Sequence, residues 1–142
     1  MRRRPLSERE ARDRLLEAGF LDSDIEAALG VARDSNWIGD ATFARLWIED
    51  RLEHHPLSRR AVEDELRGRK VSREAILAAL DEHYPPEKER EVAASLVEAR
   101  FARLAGLDEA TRRRRATDFL LRRGFSSSIA VDSVRRAVRG GP

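Results

Sequence analysis

The sequence contains no cysteine, which removes disulfides, thiolate zinc sites and cysteine nucleophiles from consideration. Aromatic residues make up only 6% of the chain, too few for one large core. Lysine is almost missing: of 28 basic residues, 26 are arginine and 2 are lysine. The longest unbroken apolar run, Ala75 to Leu80, falls far short of the roughly 20 residues that cross a bilayer. Arg2, Arg3 and Arg4 lead into Pro5 with no apolar stretch after them, so no signal peptide is expected. Histidine is limited to His54, His55 and His83, and no His-x-x-x-His spacing sets two metal ligands on one helix face. A glycine-rich phosphate loop is also lacking. Carboxylate pairs such as Asp64–Glu65 stand among arginines and read as solvated faces. With no nucleophile, base and orienting group in evidence, the chain reads as a non-enzyme without metal or cofactor.

What is present is charge, patterned. Of 142 residues, 41% are hydrophobic and 38% charged, against roughly 25% charged in an average globular chain. The net charge of +2 hides an asymmetry. Residues 1–107 hold 19 basic and 22 acidic side chains, and residues 108–142 hold 9 basic and 4 acidic. Positive potential at the C-terminal end suits an acidic or nucleic-acid surface; a general preference for arginine over lysine would produce much of the same pattern.

Three segments align without gaps: Ser7 to Leu29, Ser58 to Leu80 and Arg112 to Val134, at offsets of 51 and 54 residues. Their apolar slots coincide at Ala11/Val62/Ala116, Leu15/Leu66/Leu120, Phe20/Val71/Phe125 and Leu29/Leu80/Val134. Ile25 and Ile76 share a further slot, which the third copy offsets with Ile129 one place early. The spacing is helical, with no strand pattern. Each segment reads as helix, tight turn, helix, with Gly19 and Gly124 at the turn where left-handed backbone is needed. Ser7–Glu10 and Ser23–Glu26 fit capping boxes, and Asp22, Ser72 and Ser126 suit the starts of the second helices. A third helix follows in two copies. One is capped by Asp40 and carries Phe43, Ala44, Trp47, Ile48 and Leu52 inward, with Trp37 as a hydrophobic staple. The other restarts after Pro85–Pro86 and runs from Glu87 to Leu104, with Val92, Leu96, Ala99 and Arg103 on one face. The third copy has only Arg135 to Arg139 for this purpose.

The expected fold is therefore all-α: three tandem three-helix repeats in an elongated, curved array. The boundaries read as a disordered start at 1–6, then repeats at 7–55, 56–107 and 108–139, the last with a short final helix. The best functional clue lies in the arginines. Arg59–Arg60 and Arg113–Arg114 occupy aligned positions read as helix starts, where the macrodipole disfavours cations by roughly 0.3–1 kcal/mol each. Arg69 and Arg123 coincide at the far end of the same helix, with Arg122 beside Arg123. These seven residues are the candidate edge for an acidic partner or a phosphate backbone.

The stretch Asn36-Trp37-Ile38-Gly39-Asp40-Ala41-Thr42-Phe43-Ala44-Arg45, with Arg51 after it, resembles the glycine–tyrosine–apolar–aspartate–aspartate signature of the RecX family. Val62-Glu63-Asp64-Glu65-Leu66 followed by Val71 to Ile76, and Phe119 to Phe125, resemble further blocks of that family. The resemblance runs from about Ser7 to Arg139. It implies three three-helix repeats and a regulator, usually an inhibitor, of the RecA recombinase. Such a protein lies in the groove of the RecA filament on single-stranded DNA and hinders filament growth, ATP hydrolysis, strand exchange and LexA cleavage. The expected partner is then RecA and its filament, with weak direct DNA binding as the alternative, for a cytoplasmic monomer with no membrane contact. Three departures stand out. Only six residues precede Ser7 where the family has a helix. Lys70 replaces the usual turn glycine, so that turn is expected to be strained or shifted. His55-Pro56-Leu57-Ser58 replaces a glycine-containing linker.

Overall fold

The computed structural model describes residues 7–34 and 39–140. The expected disordered start and the Trp37 staple lie outside them. Eight helices are seen among the described residues: α1 (Glu8–Glu17), α2 (Asp22–Asp34), α3 (Asp40–His54), α4 (Arg59–Gly68), α5 (Arg73–His83), α6 (Pro86–Arg103), α7 (Glu109–Arg122) and α8 (Ser127–Gly140). No strand occurs among them. The chain forms two compact units, one of Met1–Asp50 with Glu63–His83 and one of Arg51–Val62 with Tyr84–Pro142.

The aligned apolar slots form the cores. Val62, Leu66, Ala116 and Leu120 are fully buried, as are Ile25 and Ala130. Complete burial of a Leu or Ile side chain contributes roughly 1.5–3 kcal/mol, so the repeat is an energetic pattern as well as a sequence pattern. In the third copy Ala130 takes the slot of Ile25 and Ile76, while Ile129 packs at the edge of the cluster. Phe20 departs from its counterparts: it is 52% exposed, whereas Val71 and Phe125 are 3% and 2% exposed. The reason is the preceding helix. Phe125 sits in a cluster with Ala93, Val97 and Phe101 of α6, and no described helix takes that part against Phe20.

Several local expectations need correction. The inward face of α6 is Ala93, Val97 and Phe101, with Val92 and Leu96 flanking it; Ala99 and Arg103 are exposed. The stripe is rotated by about one residue because two helices, α7 and α8, pack on α6. Helix α2 begins at Asp22, and the Asp24 and Ile25 amides donate to the Leu21 carbonyl. Neither Asp22 nor Ser23 therefore occupies the cap position. By contrast Ser72 and Ser126 are caps, accepting from the Ala75 and Ile129 amides at 3.2 Å each. Arg135 to Arg139 continue α8 without a break.

Asp40 does not cap its own helix. Its Oδ1 accepts from the Glu8 amide (3.0 Å) and its Oδ2 from the Ser72 amide (2.8 Å). One carboxylate thereby satisfies donors at the starts of two other helices, α1 and α5, which would otherwise need water. Ser7 completes this junction: its Oγ accepts from the Glu10 amide (3.2 Å) and donates to the Arg69 carbonyl (3.1 Å). The other unit repeats the arrangement one copy on. Ser58 Oγ accepts from the Ala61 amide (3.0 Å), the Ser58 amide donates to the Arg123 carbonyl (3.1 Å), and the Arg59 amide donates to Glu89 Oε2 (2.8 Å).

The turns also correspond. Gly19 and Gly124 have φ of +91° and +92°, and Lys70, the aligned residue, has φ +63°. The Lys70 turn is thus not shifted. A lysine accepts the left-handed backbone at roughly 1–2 kcal/mol, and its ammonium pairs with Asp13.

Candidate binding surface

Helix α7 begins earlier than expected. Asp108 is its cap, with Oδ2 accepting from the Thr111 amide (3.1 Å) and Oδ1 from the Thr111 hydroxyl (2.8 Å). These bonds, the hydroxyl's first, hold the Asp108 carboxyl below its usual range. Arg113 and Arg114 consequently sit in the second turn of α7, beyond the positive end of the helix, and the dipole argument does not apply to them. It survives for Arg59 and Arg60, which open α4 with no acid in its first turn.

The seven candidate arginines separate into two kinds. Arg59, Arg69 and Arg123 are half-buried and serve the fold. The Arg69 guanidinium lies 4.9 Å from the centre of the Trp47 ring. Trp47 is only half-buried: it stacks on Phe43 at 5.7 Å and donates Nε1 to Glu65 at 3.2 Å. Arg123 Nη1 donates to the Pro56 carbonyl at 3.0 Å, and its guanidinium lies 5.0 Å from the Phe119 ring. Arg60, Arg113, Arg114 and Arg122 are exposed. Arg113 pairs with Glu109 at 3.1 Å. Arg69 belongs to the first compact unit and the other six to the second.

Around Arg123 the second unit gathers residues that the repeat pattern did not single out. The Arg100 guanidinium of α6 lies 4.7 Å from the same Phe119 ring. Burial, and then the charge of Arg100, push the Arg123 pKa down. Two cations held near one another favour an incoming anion, because an anion relieves their repulsion. Along α7, Arg115, Phe119 and Arg122 follow at helical spacing and so share one flank of the helix. Arg115 and Arg122 are exposed and have no ion-pair partner among the described residues. Planar guanidinium groups bind carboxylate or phosphate oxygens through paired N–H donors, and the half-buried Phe119 adds an apolar face between them. The spacing of Arg115, Phe119 and Arg122 was present in the sequence. The contribution of Arg100 was not, since only the packing of α6 on α7 brings it there.

Among the described residues no group of three or more His, Asp or Glu side chains is placed to hold a metal ion, and no helix is long and apolar enough to cross a membrane.

Comparison with known proteins identifies this arrangement. Residues 40–80 match the family model for RecX, second three-helix domain, and residues 87–131 that for RecX, third three-helix domain. These ranges take α3–α5 and α6–α8 as the units, one helix earlier in phase than the boundaries read from the repeat. The chain is 33% identical over 136 residues to the regulatory protein RecX of Amycolatopsis mediterranei, covering 96% of this chain and 77% of that protein. It is 35% identical over 133 residues to the regulatory protein RecX of Thermobifida fusca, covering 94% and 71%. The crystal structure of RecX from Lactobacillus salivarius superposes with a TM-score of 0.78 at 16% identity, covering 94% of this chain and 86% of that one. The sequence blocks, the repeated helical junctions and the fold agree, and the chain belongs to the RecX family of regulatory proteins.

Proposed function

We propose that this protein binds the RecA recombinase and its filament on single-stranded DNA, and that binding restrains recombination, ATP hydrolysis and RecA-stimulated LexA cleavage. The observation that carries this reading is the family match across nearly the whole chain. The flank formed by Arg115, Phe119 and Arg122, with Arg100 and Arg123 beside it, is the surface we assign to the filament. A filament exposes both acidic protein side chains and phosphates, and unpaired guanidinium groups suit either. Arg60 and Arg114 are exposed on the same unit and add to its positive charge. Arg59 and Arg69 are half-buried, Arg69 against the Trp47 ring, and are left out of this surface.

A second reading is direct binding to DNA, favoured by the exposed and unpaired Arg115 and Arg122 on one flank of α7, since guanidinium groups bind phosphate oxygens. Titration into RecA-coated single-stranded DNA separates the two, with ATP hydrolysis as the readout. Inhibition at amounts well below one protein per RecA subunit supports the RecA reading. Unchanged hydrolysis together with tight, salt-sensitive binding to bare DNA replaces it with the second.

A further inference from the structure

The RecA reading leaves one feature of the second unit unused. Two depressions, of about 480 and 650 Å³, run along the seam where α8 packs on α6, and they meet at Ala94, Ser133 and Arg136. The resulting groove follows α8 over a length of about 20 Å at 1.5 Å per residue. Ser133 lies where they join. It is 6% exposed, and its hydroxyl has no hydrogen-bond partner among the described residues. The aligned positions in the first two copies hold Ala28 and Ala79. A hydroxyl therefore stands where the other two copies have a methyl group, and it lines the groove on both sides.

The charge around this hydroxyl is uneven. Arg90 and Arg135 line the first of the two depressions, and both lack an ion-pair partner among the described residues. The first turn of α8 has no acidic residue to offset its dipole. Arg136 is paired with Asp132 at 3.4 Å. Glu98 and Glu109 line the second depression, where Arg112 donates to the Phe101 carbonyl, so the arginines left without a partner line the first. The lining also holds apolar side chains, with Val131 45% exposed in the first depression and Val138 half-buried in the second.

We infer that this groove binds a peptide segment of a partner protein that carries a carboxylate beside apolar side chains. The carboxylate sits between Arg90 and Arg135, a polar group of the segment takes the Ser133 hydroxyl, and the apolar side chains cover Val131 and Val138. A phosphodiester backbone would find the cations but nothing to set against Val131 and Val138, and it would meet Glu98 and Glu109 further along. The first depression is lined by α6 and α8 alone, whereas Arg115, Phe119 and Arg122 of the flank assigned to the filament lie on α7 and line neither depression. The inference accordingly stands apart from the RecA reading.

The test uses the full chain and a short fluorescein-labelled peptide of alternating leucine and glutamate, followed by anisotropy. Its counterpart with glutamine for glutamate and a single-stranded thymidine oligonucleotide serve as competitors. Binding of the glutamate peptide is expected, with the glutamine peptide weaker by roughly tenfold, the worth of one charge-assisted hydrogen bond. The double variant Arg90→Gln, Arg135→Gln should weaken binding at least as much. Ser133→Ala supplies the distinguishing readout. Binding should weaken a few-fold while the melting temperature holds or rises, because the variant carries the residue of the aligned copies. The inference is overturned if the peptide does not bind, if these variants bind it like the parent, or if the oligonucleotide displaces it and itself fails to bind without Arg90 and Arg135. None of these readouts contains RecA, so failure here leaves the RecA proposal standing, and the reverse.

Discussion

Gly19 and Gly124 offer a matched pair that separates backbone strain from packing. Both have the same left-handed φ, and alanine at either is disfavoured by roughly 1–2 kcal/mol for that reason. Their surroundings differ. A Cβ at Gly19 would meet nothing within 4 Å, whereas one at Gly124 would lie 2.6 Å from Ser58 Oγ and 2.9 Å from the Ala61 Cβ. Neither neighbour is free to give way. Ser58 is 1% exposed, its Oγ holds the Ala61 amide, and its own amide is bound to the Arg123 carbonyl. Forcing a methyl group against these atoms adds roughly 1–3 kcal/mol. Gly19→Ala should therefore destabilise by about 1–2 kcal/mol and Gly124→Ala by about 2–5 kcal/mol. Urea unfolding followed by circular dichroism gives the totals. Hydrogen exchange at two equivalent amides, Phe20 to the Leu15 carbonyl and Phe125 to the Leu120 carbonyl, each at 3.1 Å, localises the effect to one turn. Equal destabilisation by the two variants, within about 0.5 kcal/mol, would refute the packing argument and leave backbone strain as the whole effect. Lys70→Gly completes the series. Relief of strain outweighs an exposed ion pair worth at most about 1 kcal/mol, so the variant should be as stable as the parent or slightly more so.

Other outcomes follow from individual side chains. Asp40→Ala removes the acceptor for two backbone donors at roughly 1.5–3 kcal/mol for a bond to a charged group, and faster exchange at the Glu8 and Ser72 amides should accompany the destabilisation. Tyr84, the only tyrosine, is fully buried and donates to the Leu57 carbonyl at 2.6 Å; burial, and then Glu89, push its pKa well above the usual tyrosine value, against a smaller lowering by Arg59. A folded-state pKa above the unfolded one gives stability that is present below about pH 10 and lost as pH rises beyond it. Tyrosinate absorbance should thus appear only as the protein unfolds in alkali, and Tyr84→Phe should be less alkali-sensitive; an ordinary titration curve on the folded protein would contradict this. Arg122→Gln should leave the melting temperature unchanged and reduce the salt slope of binding to filament or DNA by roughly 0.7 for each single-strand phosphate that Arg122 neutralises. Arg123→Gln should instead lower the melting temperature, since the side chain holds Pro56 and Phe119.

Helical periodicity, turn residues and the three-fold repeat were legible in the chain itself. They depend on interactions within a few residues, and they placed Val62, Leu66, Ala116 and Leu120 in cores without reference to any neighbour. The blocks around Asp40, Val62 and Phe125 likewise carried the family. Tertiary structure decided what each polar residue does. Asp40 reads as the cap of α3 by position, yet its carboxylate serves α1 and α5, because a side chain bonds whichever orphan donors packing brings within reach. Arg122 and Arg123 are adjacent and chemically identical, yet one is exposed and the other holds a linker carbonyl against an aromatic ring. Phe20 and Phe125 fill the same slot of the repeat, and only the presence of α6 buries the second. Sequence determined the helices and the spacing of their apolar faces. Which arginines remain available to a partner was set by packing between residues far apart in the chain, which no local pattern encodes.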